Sequence, residues 1–349
     1  MSATIRRLYV RLPNWVGDVV MATAVLDTLR EQLPQAHITV ESPGFQRSLL
    51  AGLGSFDTFL PAPGKRVADV LNHGKLLRAE RFDAALILAD SVRTALPPFL
   101  ARIPVRVGFA RDAVRRFLLT RALKAPADAD GKRVPTPMPS RYQEALLGLL
   151  PDAPAEPGLV RLAVSDTDRS AVAARLASCT PPVTGGYLVL TPGAAFGASK
   201  LYPAVQSAEA ADGIARACDL SVVLAPGPGE EPLAHEIAAL MTTEPTLLVD
   251  PVTTLGQLNA LIDDASMLLA NDTGPRHVAV AVDTPVVCLM GPTDRRHTDY
   301  QLTRQRVLRE EVDCSPCHLK ICPIDHRCMT RLAPPRVVAA AVELLAGDA

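Results

Sequence analysis

The chain runs twice through one arrangement, in which an apolar strand enters a short glycine-containing loop and a helix follows. The stretch "IRRLYVRLP" (5–13) leads through "NWVG" into the first helix, and "YLVLTPG" (187–193) leads towards a helix near 203–218. Strands and helical stretches go on alternating in both halves, which is typical of parallel sheets with helices on both faces. The sequence therefore predicts an α/β fold of two doubly wound domains that face each other. Ligands bind at the carboxyl ends of the strands in such sheets.

The length of the chain supports two domains. A chain of 349 residues exceeds what one hydrophobic core commonly holds. The stretch 125–160 is rich in Pro, Ala and Asp, so the boundary is expected there. We predict domains at 1–160 and 161–349, with a last helix at 334–346 that belongs to the second domain or packs back on the first.

Two helices carry apolar residues at helical spacing, so we predict that each buries one face. The stripe of the first helix consists of Val19, Ala22, Leu26, Leu29 and Leu33. The stripe of the last helix consists of Val338, Ala341, Val342 and Leu345. Both helices are therefore expected to be amphipathic.

Composition and charge exclude several classes of partner. The net charge is −1, so no global field attracts nucleic acid or a membrane. Hydrophobic residues make up 48% of the chain, yet no stretch resembles a signal peptide or a membrane span. We expect a cytoplasmic protein without a nucleic-acid partner, whose seven cysteines stay reduced.

Two loops of the second half have the composition of anion-binding sites. In "PGAAFGASK" (192–200) the glycines let backbone N–H groups approach an anion, and Lys200 adds a charge, although the P-loop spacing is absent. In "NDTGPRH" (271–277) Thr273 is expected to cap a helix whose N-terminus can receive phosphate, with His277 one turn further on. A flexible loop and a plain capped helix are the alternatives.

Carboxylates follow two other strands. "GPGEE" (227–231) closes a strand, and carboxylates there often accept ribose hydroxyls, although solvated glutamates fit equally well. Asp18 lies where the first strand passes into a helix, where the helix dipole favours an ionised side chain. Such a carboxylate can take a proton from a hydroxyl nucleophile, or it can be an ordinary first-turn aspartate.

Two further segments are chemically distinctive. The stretch 102–124 carries seven Arg or Lys residues and one Asp, so it is either a site for an anionic acceptor or a solvated face. The segment "CSPCHLKICPIDHRC" (314–328) holds four cysteines, at Cys314, Cys317, Cys322 and Cys328. The two halves of a zinc site are commonly further apart, so packed structural thiols are favoured over a metal site.

Taken together, these strings resemble the heptosyltransferase family of bacterial glycosyltransferases, glycosyltransferase family 9, and within it the heptosyltransferase II branch. "LPNWVGDVVMATAVLDTLR" looks like the N-terminal motif of the family, and "PGAAFGASKLYP" looks like its phosphate loop. "NDTGPRHVAVAVDTPVVCLMGPTD" looks like its nucleotide signature, and "CSPCHLKICPIDHRCM" is similar to a cysteine-rich stretch of many members. Four motifs in the same order make the resemblance specific.

The resemblance implies a GT-B fold and an inverting transfer from ADP-heptose to the lipopolysaccharide inner core, without a cofactor. It implies Asp18 as general base and Lys200 as partner of the diphosphate, with peripheral contact to the inner membrane. The other donor-side residues that it implies are Thr191, Gly193, Gly197, Glu230, Glu231, Asp272, Thr273, Gly274 and His277. The acceptor-side candidates, from the N-terminal motif and the basic stretch, are Asn14, Trp15, Gly17, Arg111, Arg115 and Arg116.

Some positions depart from the family pattern. "KLYP" stands where members often have Lys-Arg-Trp-Pro, and "TGPRH" stands where they often have Ser-Gly-Leu-Met-His. Arg276 is therefore expected to add a charge beside the donor. Two alternatives stay open: a GT-B enzyme with another nucleotide sugar or acceptor, and a non-catalytic metal-binding or interaction protein built on the four cysteines.

Overall fold

The computed structural model describes residues 5–129, 134–180 and 182–347. They form two compact units: the first comprises residues up to 47, 53–160 and 296–298, and the second comprises 48–52, 161–295 and 299 onwards. The proline-rich stretch that predicted the boundary includes residues 130–133, which lie outside the described part. Among the described helices, none combines the length and the apolar character needed to cross a bilayer.

The first unit is built on a six-stranded sheet. Its strands are β1 Arg7–Arg11, β2 His37–Ser42, β3 Thr58–Pro61, β4 Ala84–Ile87, β5 Val105–Phe109 and β6 Arg121–Leu123. Its helices are α1 Val16–Gln32, α2 Val67–Ala79, α3 Val92–Leu100, α4 Ala113–Leu118 and α5 Met138–Leu149. All strands pair in parallel in the order β3-β2-β1-β4-β5-β6. The order reverses between β1 and β4, which places a ligand crevice at their carboxyl ends.

The second unit repeats this topology. Its strands are β7 Tyr187–Thr191, β8 Ser221–Leu224, β9 Thr246–Leu247, β10 Met267–Asn271, β11 Val286–Leu289 and β12 Gln305–Leu308. Its helices are α6 Asp166–Ser178, α7 Ala204–Cys218, α8 Glu231–Leu240, α9 Leu255–Asp263, α10 Gly274–Ala281, α11 Arg327–Thr330 and α12 Pro334–Ala346. The parallel order β12-β11-β10-β7-β8-β9 reverses between β7 and β10. The predicted α/β class with two doubly wound sheets is confirmed.

Helix α1 is buried more fully than its apolar stripe predicts. Every residue from 19 to 26 is buried, and Leu33 lies beyond the helix as its C-cap. The reason is that α1 packs against α5, and the backbone of Gly158 approaches the Ala24 carbonyl. The predicted burial of Val19, Ala22, Leu26 and Leu29 is confirmed, but the remaining residues from 19 to 26 are buried too, so this part of the helix has no solvent face.

Helix α12 has the predicted bounds, but of the predicted stripe only Ala341 is among its buried residues. Val337, Ala341 and Leu344 are buried in the core of the second unit, whereas Val342 is exposed. The helix packs against α7 of the same unit. A Cβ at Gly213 would come within 2.5 Å of Val338, so this glycine lets the two helices approach closely.

Candidate active site

The carboxyl ends of β7 and β10 bring a lysine and a carboxylate together in the second unit. Strands β7 and β10 are neighbours, with Thr191 opposite Ala270 in the register, so the segments that follow them lie side by side. Lys200 Nζ lies 2.8 Å from Asp272 Oδ2 and 2.6 Å from the Asp272 carbonyl oxygen. The Lys200 side chain is only 12% exposed. Two predicted site residues that are 72 positions apart in the sequence therefore form one ion pair.

Asp272 is held between two cations. Its Oδ1 accepts a hydrogen bond of 2.9 Å from Arg276 Nη1, and its Oδ2 also accepts 2.7 Å from the Thr293 hydroxyl. Burial by itself raises the pKa of this carboxyl, but the charges of Lys200 and then Arg276 outweigh burial, and the pKa lies well below its usual range. Asp272 is therefore ionised at neutral pH and fixes the position of the lysine ammonium.

Arg276 lies beside the candidate donor site, where it contacts Asp272, but its charge is buried. Its side chain is 0% exposed, and its guanidinium also donates to Gln305 Oε1, at 3.0 Å from Nη2 and 3.2 Å from Nε. Gln305 in turn donates 2.6 Å to the Tyr300 carbonyl. The Arg276 guanidinium is thus engaged inside the unit, where it neutralises Asp272.

His277 is a neutral ring in this site. Its Nδ1 lies 2.8 Å from the Tyr300 hydroxyl, and the two rings stack with centroids 5.8 Å apart. Burial, followed by the charge of Arg276, lowers the pKa of His277 to about 3. The imidazole can therefore act as a hydrogen-bonding group at physiological pH, but not as a cation.

Thr273 does not cap α10 through its side chain. The residue occupies the N-cap position, yet its hydroxyl donates 3.3 Å to the Asn271 carbonyl. The predicted side-chain cap is wrong, because the hydroxyl of Thr273, whose backbone is extended, bonds to the preceding Asn271 and not to the helix. The first N–H groups of α10, beginning at Gly274, are consequently not occupied by this hydroxyl and keep their capacity to receive an anion.

The glycine loop 192–199 is shaped by two side chains. Asn271 Nδ2 donates 2.7 Å to the Pro192 carbonyl, which ties the start of the loop to β10. Glu230 Oε2 accepts 2.8 Å from the Gly227 N–H, and a Cβ at Gly193 would come within 1.7 Å of this carboxyl. Burial raises the pKa of Glu230. The carboxyl thus fills the space that the missing Gly193 side chain leaves.

Two further donor-side candidates lie close by. Thr191 ends β7 and is buried, and within the described residues its hydroxyl has no hydrogen-bond partner. Glu231 begins α8, one position after Glu230. An unpartnered buried hydroxyl at the carboxyl end of a strand is suited to contact a bound ligand.

The cysteine segment, residues 314–328, braces this site from outside. The Ser199 N–H donates 3.0 Å to the Lys320 carbonyl, and His326 Nε2 lies 2.7 Å from the Ser199 carbonyl. A Cβ at Gly197 would come within 2.4 Å of the same Lys320 oxygen. The backbone just before Lys200 is therefore held by the segment. The sequence did not indicate His326 as a positioning residue.

The same segment also holds the loop that follows β11. The Ser315 hydroxyl donates 2.6 Å to the Gly291 carbonyl, and the Cys317 N–H donates 3.1 Å to the Pro292 carbonyl. This loop carries Thr293, which contacts Asp272. The cysteine segment thus links two of the loops that build the ion pair.

The four cysteines of the segment are free thiols that lie near one another. Burial raises the pKa of Cys328, and the neighbouring Cys314, Cys322 and Cys317 raise it further. Within the described residues, no three His, Cys, Asp or Glu side chains are arranged to hold a metal ion.

In the first unit, Asp18 lies in the first turn of α1, after β1. The helix begins at Val16, so the preceding loop is shorter than "NWVG" suggested and Gly17 lies inside the helix. Asn14 Oδ1 accepts 2.6 Å from Arg11 Nη2, and Trp15 is exposed at the N-cap. The location at the β1/β4 switch point agrees with a ligand-facing position.

A buried ion network supports this loop, and the sequence analysis missed it. Arg11 Nε lies 3.1 Å from Glu41 Oε1, and His73 Nε2 contacts Glu41 Oε2. Arg11 and Glu41 are opposite each other on β1 and β2. The only available signal was a charged residue at the end of each apolar strand.

The basic stretch 102–124 separates into inward and outward arginines. Arg115 is fully buried and donates 2.6 Å to the Ala89 carbonyl and 2.5 Å to the Phe109 carbonyl. It thus offers no surface to an acceptor, and its predicted role there is wrong because backbone carbonyls take its donors. Arg111 and Arg116 are exposed.

The comparisons with known proteins agree with one another. Residues 70–327 match the family model of glycosyltransferase family 9 (heptosyltransferase). Lipopolysaccharide heptosyltransferase 2 of Salmonella typhimurium is 30% identical over 305 residues, which cover 85% of this chain and 86% of that protein. The structure of E. coli ADP-heptose lps heptosyltransferase II is similar with a TM-score of 0.79 and 27% identity, over 98% of this chain and 99% of that one. A glycosyl transferase family 9 structure from Veillonella parvula, 21% identical, shows the same fold with a TM-score of 0.83 over 99% of both chains. The predicted GT-B class is therefore confirmed.

Proposed function

Because the chain belongs to glycosyltransferase family 9, the heptosyltransferases, and is a glycosyltransferase, we propose that it moves heptose from ADP-heptose to a hydroxyl of the lipopolysaccharide inner core. The name of the relative from Salmonella typhimurium gives heptosyl transfer and lipopolysaccharide, and the name of the similar E. coli structure gives ADP-heptose as well. The observation on which the proposal depends is the Lys200–Asp272–Arg276 cluster at the carboxyl ends of β7 and β10.

The donor diphosphate is proposed to bind where Lys200, the glycine loop and the start of α10 meet. Lys200 supplies a cation that Asp272 holds at a fixed position. The N–H groups that begin at Gly274 supply the positive end of a helix dipole. Glu230 and Glu231 are placed to accept ribose hydroxyls after β8, as carboxylates do in related nucleotide sites.

Asp18 is proposed as the general base. It lies in the first unit, whereas the phosphate-side groups lie in the second, so the reaction requires both units. Asp18 would take the proton of the acceptor hydroxyl while the oxygen of that hydroxyl bonds to the anomeric carbon of the donor. The bond from this carbon to the ADP oxygen breaks at the same time, and the electron pair leaves with ADP.

The main contribution of the second unit to catalysis is to stabilise the negative charge that develops on the leaving diphosphate. Lys200 and the α10 N–H groups are preorganised, so they need little rearrangement when the charge appears. Attack from the face opposite the leaving group inverts the anomeric configuration. Asn14, Trp15, Gly17, Arg111 and Arg116 are proposed as the acceptor-side residues.

Where the reaction takes place follows from the acceptor. An acceptor carried by a lipid presents its sugars at a membrane surface, so we propose that the enzyme works in the cytoplasm, in peripheral contact with the inner membrane. No cofactor is proposed.

The test compares Asp18→Asn with Lys200→Ala in a transfer assay with ADP-heptose and a truncated inner-core acceptor. Loss of the base is expected to lower kcat by about 10²–10⁴ while donor binding is kept. Lys200→Ala is expected to weaken donor binding and to lower kcat as well. Glu31→Gln, an exposed carboxylate further along α1, is the matched control and is expected to behave as wild type. Near-normal turnover of Asp18→Asn would remove Asp18 from the mechanism.

The identity of the donor is tested separately. Thermal shifts with ADP-, UDP- and GDP-sugars should favour the ADP-sugar, because a ligand at 100 times its Kd stabilises the folded state by about 2.7 kcal/mol. A larger shift with a UDP- or GDP-sugar would assign the enzyme to another donor.

A further inference from the structure

Helix α2 presents an unusual combination of side chains to solvent. Val67, Leu71 and Leu76 are 77%, 46% and 44% exposed. The opposite side of the helix, with Val70 and Leu77, is buried in the first unit. An amphipathic helix of a globular domain commonly keeps large apolar residues off its outer face. Three large apolar side chains of α2, on both flanks of its buried side, therefore lie in solvent and not in the core.

The same outer face is strongly basic. Lys65, Arg66, Lys75 and Arg78 are all exposed on the helix or directly before it. The acidic groups of this region are engaged: Asp69 accepts a hydrogen bond from the Arg66 N–H, and Glu80 pairs with Arg7. We name these four cations, with Val67, Leu71 and Leu76, the α2 surface. It combines apolar side chains with a net positive charge.

A groove of about 350 Å³ lies within this surface. It is lined by Ala68, Leu71, Asn72, Gly74, Lys75, Arg78 and Leu100. The lining is mainly apolar and includes two cations, Lys75 and Arg78. A groove of this kind matches a molecule with an apolar part and an anionic part.

The start of α2 lies at the candidate acceptor side, whereas its end lies towards the start of β1, where Glu80 pairs with Arg7. Helix α2 begins after β3, and β3, β2 and β1 are adjacent parallel strands, so their carboxyl ends lie along one edge of the sheet. Two exposed aromatic residues follow at that edge, Phe45 after β2 and Trp15 after β1. Gln46 Nε2 donates 2.8 Å to the Asn14 carbonyl, which joins the two loops. Asp18 follows on the same edge.

We propose that the α2 surface docks on an anionic lipid membrane, with its apolar side chains at the level of the headgroups and its cations on lipid phosphates. The inference rests on the proposed function and deepens it, because it identifies the surface that meets the membrane carrying the acceptor. Lysine and arginine can keep their charged ends among headgroups while their stems lie along apolar surface. The charge of the surface favours an anionic bilayer over a neutral one.

The experiment measures vesicle binding without any acceptor. Full-length protein is mixed with vesicles of phosphatidylcholine alone or with phosphatidylglycerol, and bound protein is quantified by sedimentation. The fluorescence of Trp15, the only tryptophan of the chain, is recorded in parallel. We expect binding to the anionic vesicles with a blue shift of the emission, weakening as salt increases.

Two variants and one control locate the contact. The substitutions K75E and R78E together are expected to weaken binding at least about 30-fold, because each basic residue near such a surface contributes roughly fivefold. Leu71→Ser with Leu76→Ser is expected to weaken binding and to reduce the blue shift. The control is R175E with R331E, which changes the net charge equally in the second unit and should leave binding unchanged.

Three outcomes would overturn the inference. The first is equal binding to neutral and anionic vesicles, and the second is an equal loss in the control variant. The third is a concentration-dependent dimer in ultracentrifugation that Leu71→Ser with Leu76→Ser abolishes, since this would assign the surface to a second copy of the chain. Transfer to a soluble acceptor fragment distinguishes the two proposals: it should persist in the α2 variants, and its absence in wild type would count against the proposed function alone.

Discussion

Replacing Asp272 by asparagine tests whether the buried charge cluster is organised as described. The substitution keeps the shape of the side chain but removes the charge that two cations share. Arg276 is 0% exposed and would lose its contact with the Asp272 carboxylate while it keeps Gln305, whereas Lys200 is 12% exposed and can turn partly towards water. The buried charge that loses the carboxylate is therefore mainly that of Arg276.

The size of the effect follows from this burial. Removal of one partner from a buried ion pair commonly costs about 3–5 kcal/mol, and we expect Asp272→Asn to lose this much free energy of unfolding. In the double variant Asp272→Asn/Arg276→Met, the second substitution removes the buried guanidinium that has lost its carboxylate partner. The double variant should therefore be more stable than the single one, although a buried cation and a carboxylate are both gone.

Urea unfolding followed by circular dichroism gives the free energy of unfolding of each variant. Trp15 lies in the first unit, so its fluorescence reports that unit separately. The pKa of Asp272 is lowered in the folded state, so its ionised side chain contributes to the free energy of unfolding. This contribution is complete above the ordinary aspartate pKa of about 3.9 and is lost as the pH falls below that value. A loss below about 1 kcal/mol in Asp272→Asn, or a double variant no more stable than the single one, would refute the reasoning.

Three further predictions concern the same unit. Burial lowers the pKa of His277 from 6.5 to about 3. The free energy of unfolding should therefore decrease as the pH is lowered from 6.5 to about 3, by up to about 1.4 kcal/mol per pH unit. His277→Phe should remove this slope in pH-dependent urea unfolding. Gly197→Ala should weaken ADP-heptose binding in calorimetry by tenfold or more, because its φ of +152° and the close Lys320 carbonyl both disfavour a side chain. Gly229→Ala, with φ +86° but open space around it, should leave donor binding near wild type. His326→Ala should raise KM for the donor more than it lowers kcat, and His326→Gln should restore part of the loss; equal kinetics of the two variants would argue against a positioning role.

Much of the candidate site could be predicted from the sequence because it depends on local pattern. A strand that ends in a glycine loop, followed by a helix, can be recognised within about twenty residues. This is why the segments around Asp18, Lys200 and Asp272 were identified. The helix at 334–346 was also predicted with its observed bounds. Short edge strands such as β9 and β12 are hard to predict from sequence, since two to four residues carry too little pattern.

The sequence by itself determined the alternation of strands and helices, the loops at the strand ends and the family resemblance, because each resides in neighbouring residues. Only the tertiary structure decided which charges are available. Arg115 was expected on an acceptor-binding surface and Arg276 beside the donor, but both are buried, and their donors are taken by backbone carbonyls in one case and by Asp272 and Gln305 in the other. Burial depends on contacts between segments that are far apart in the chain, and no local spacing encodes these contacts.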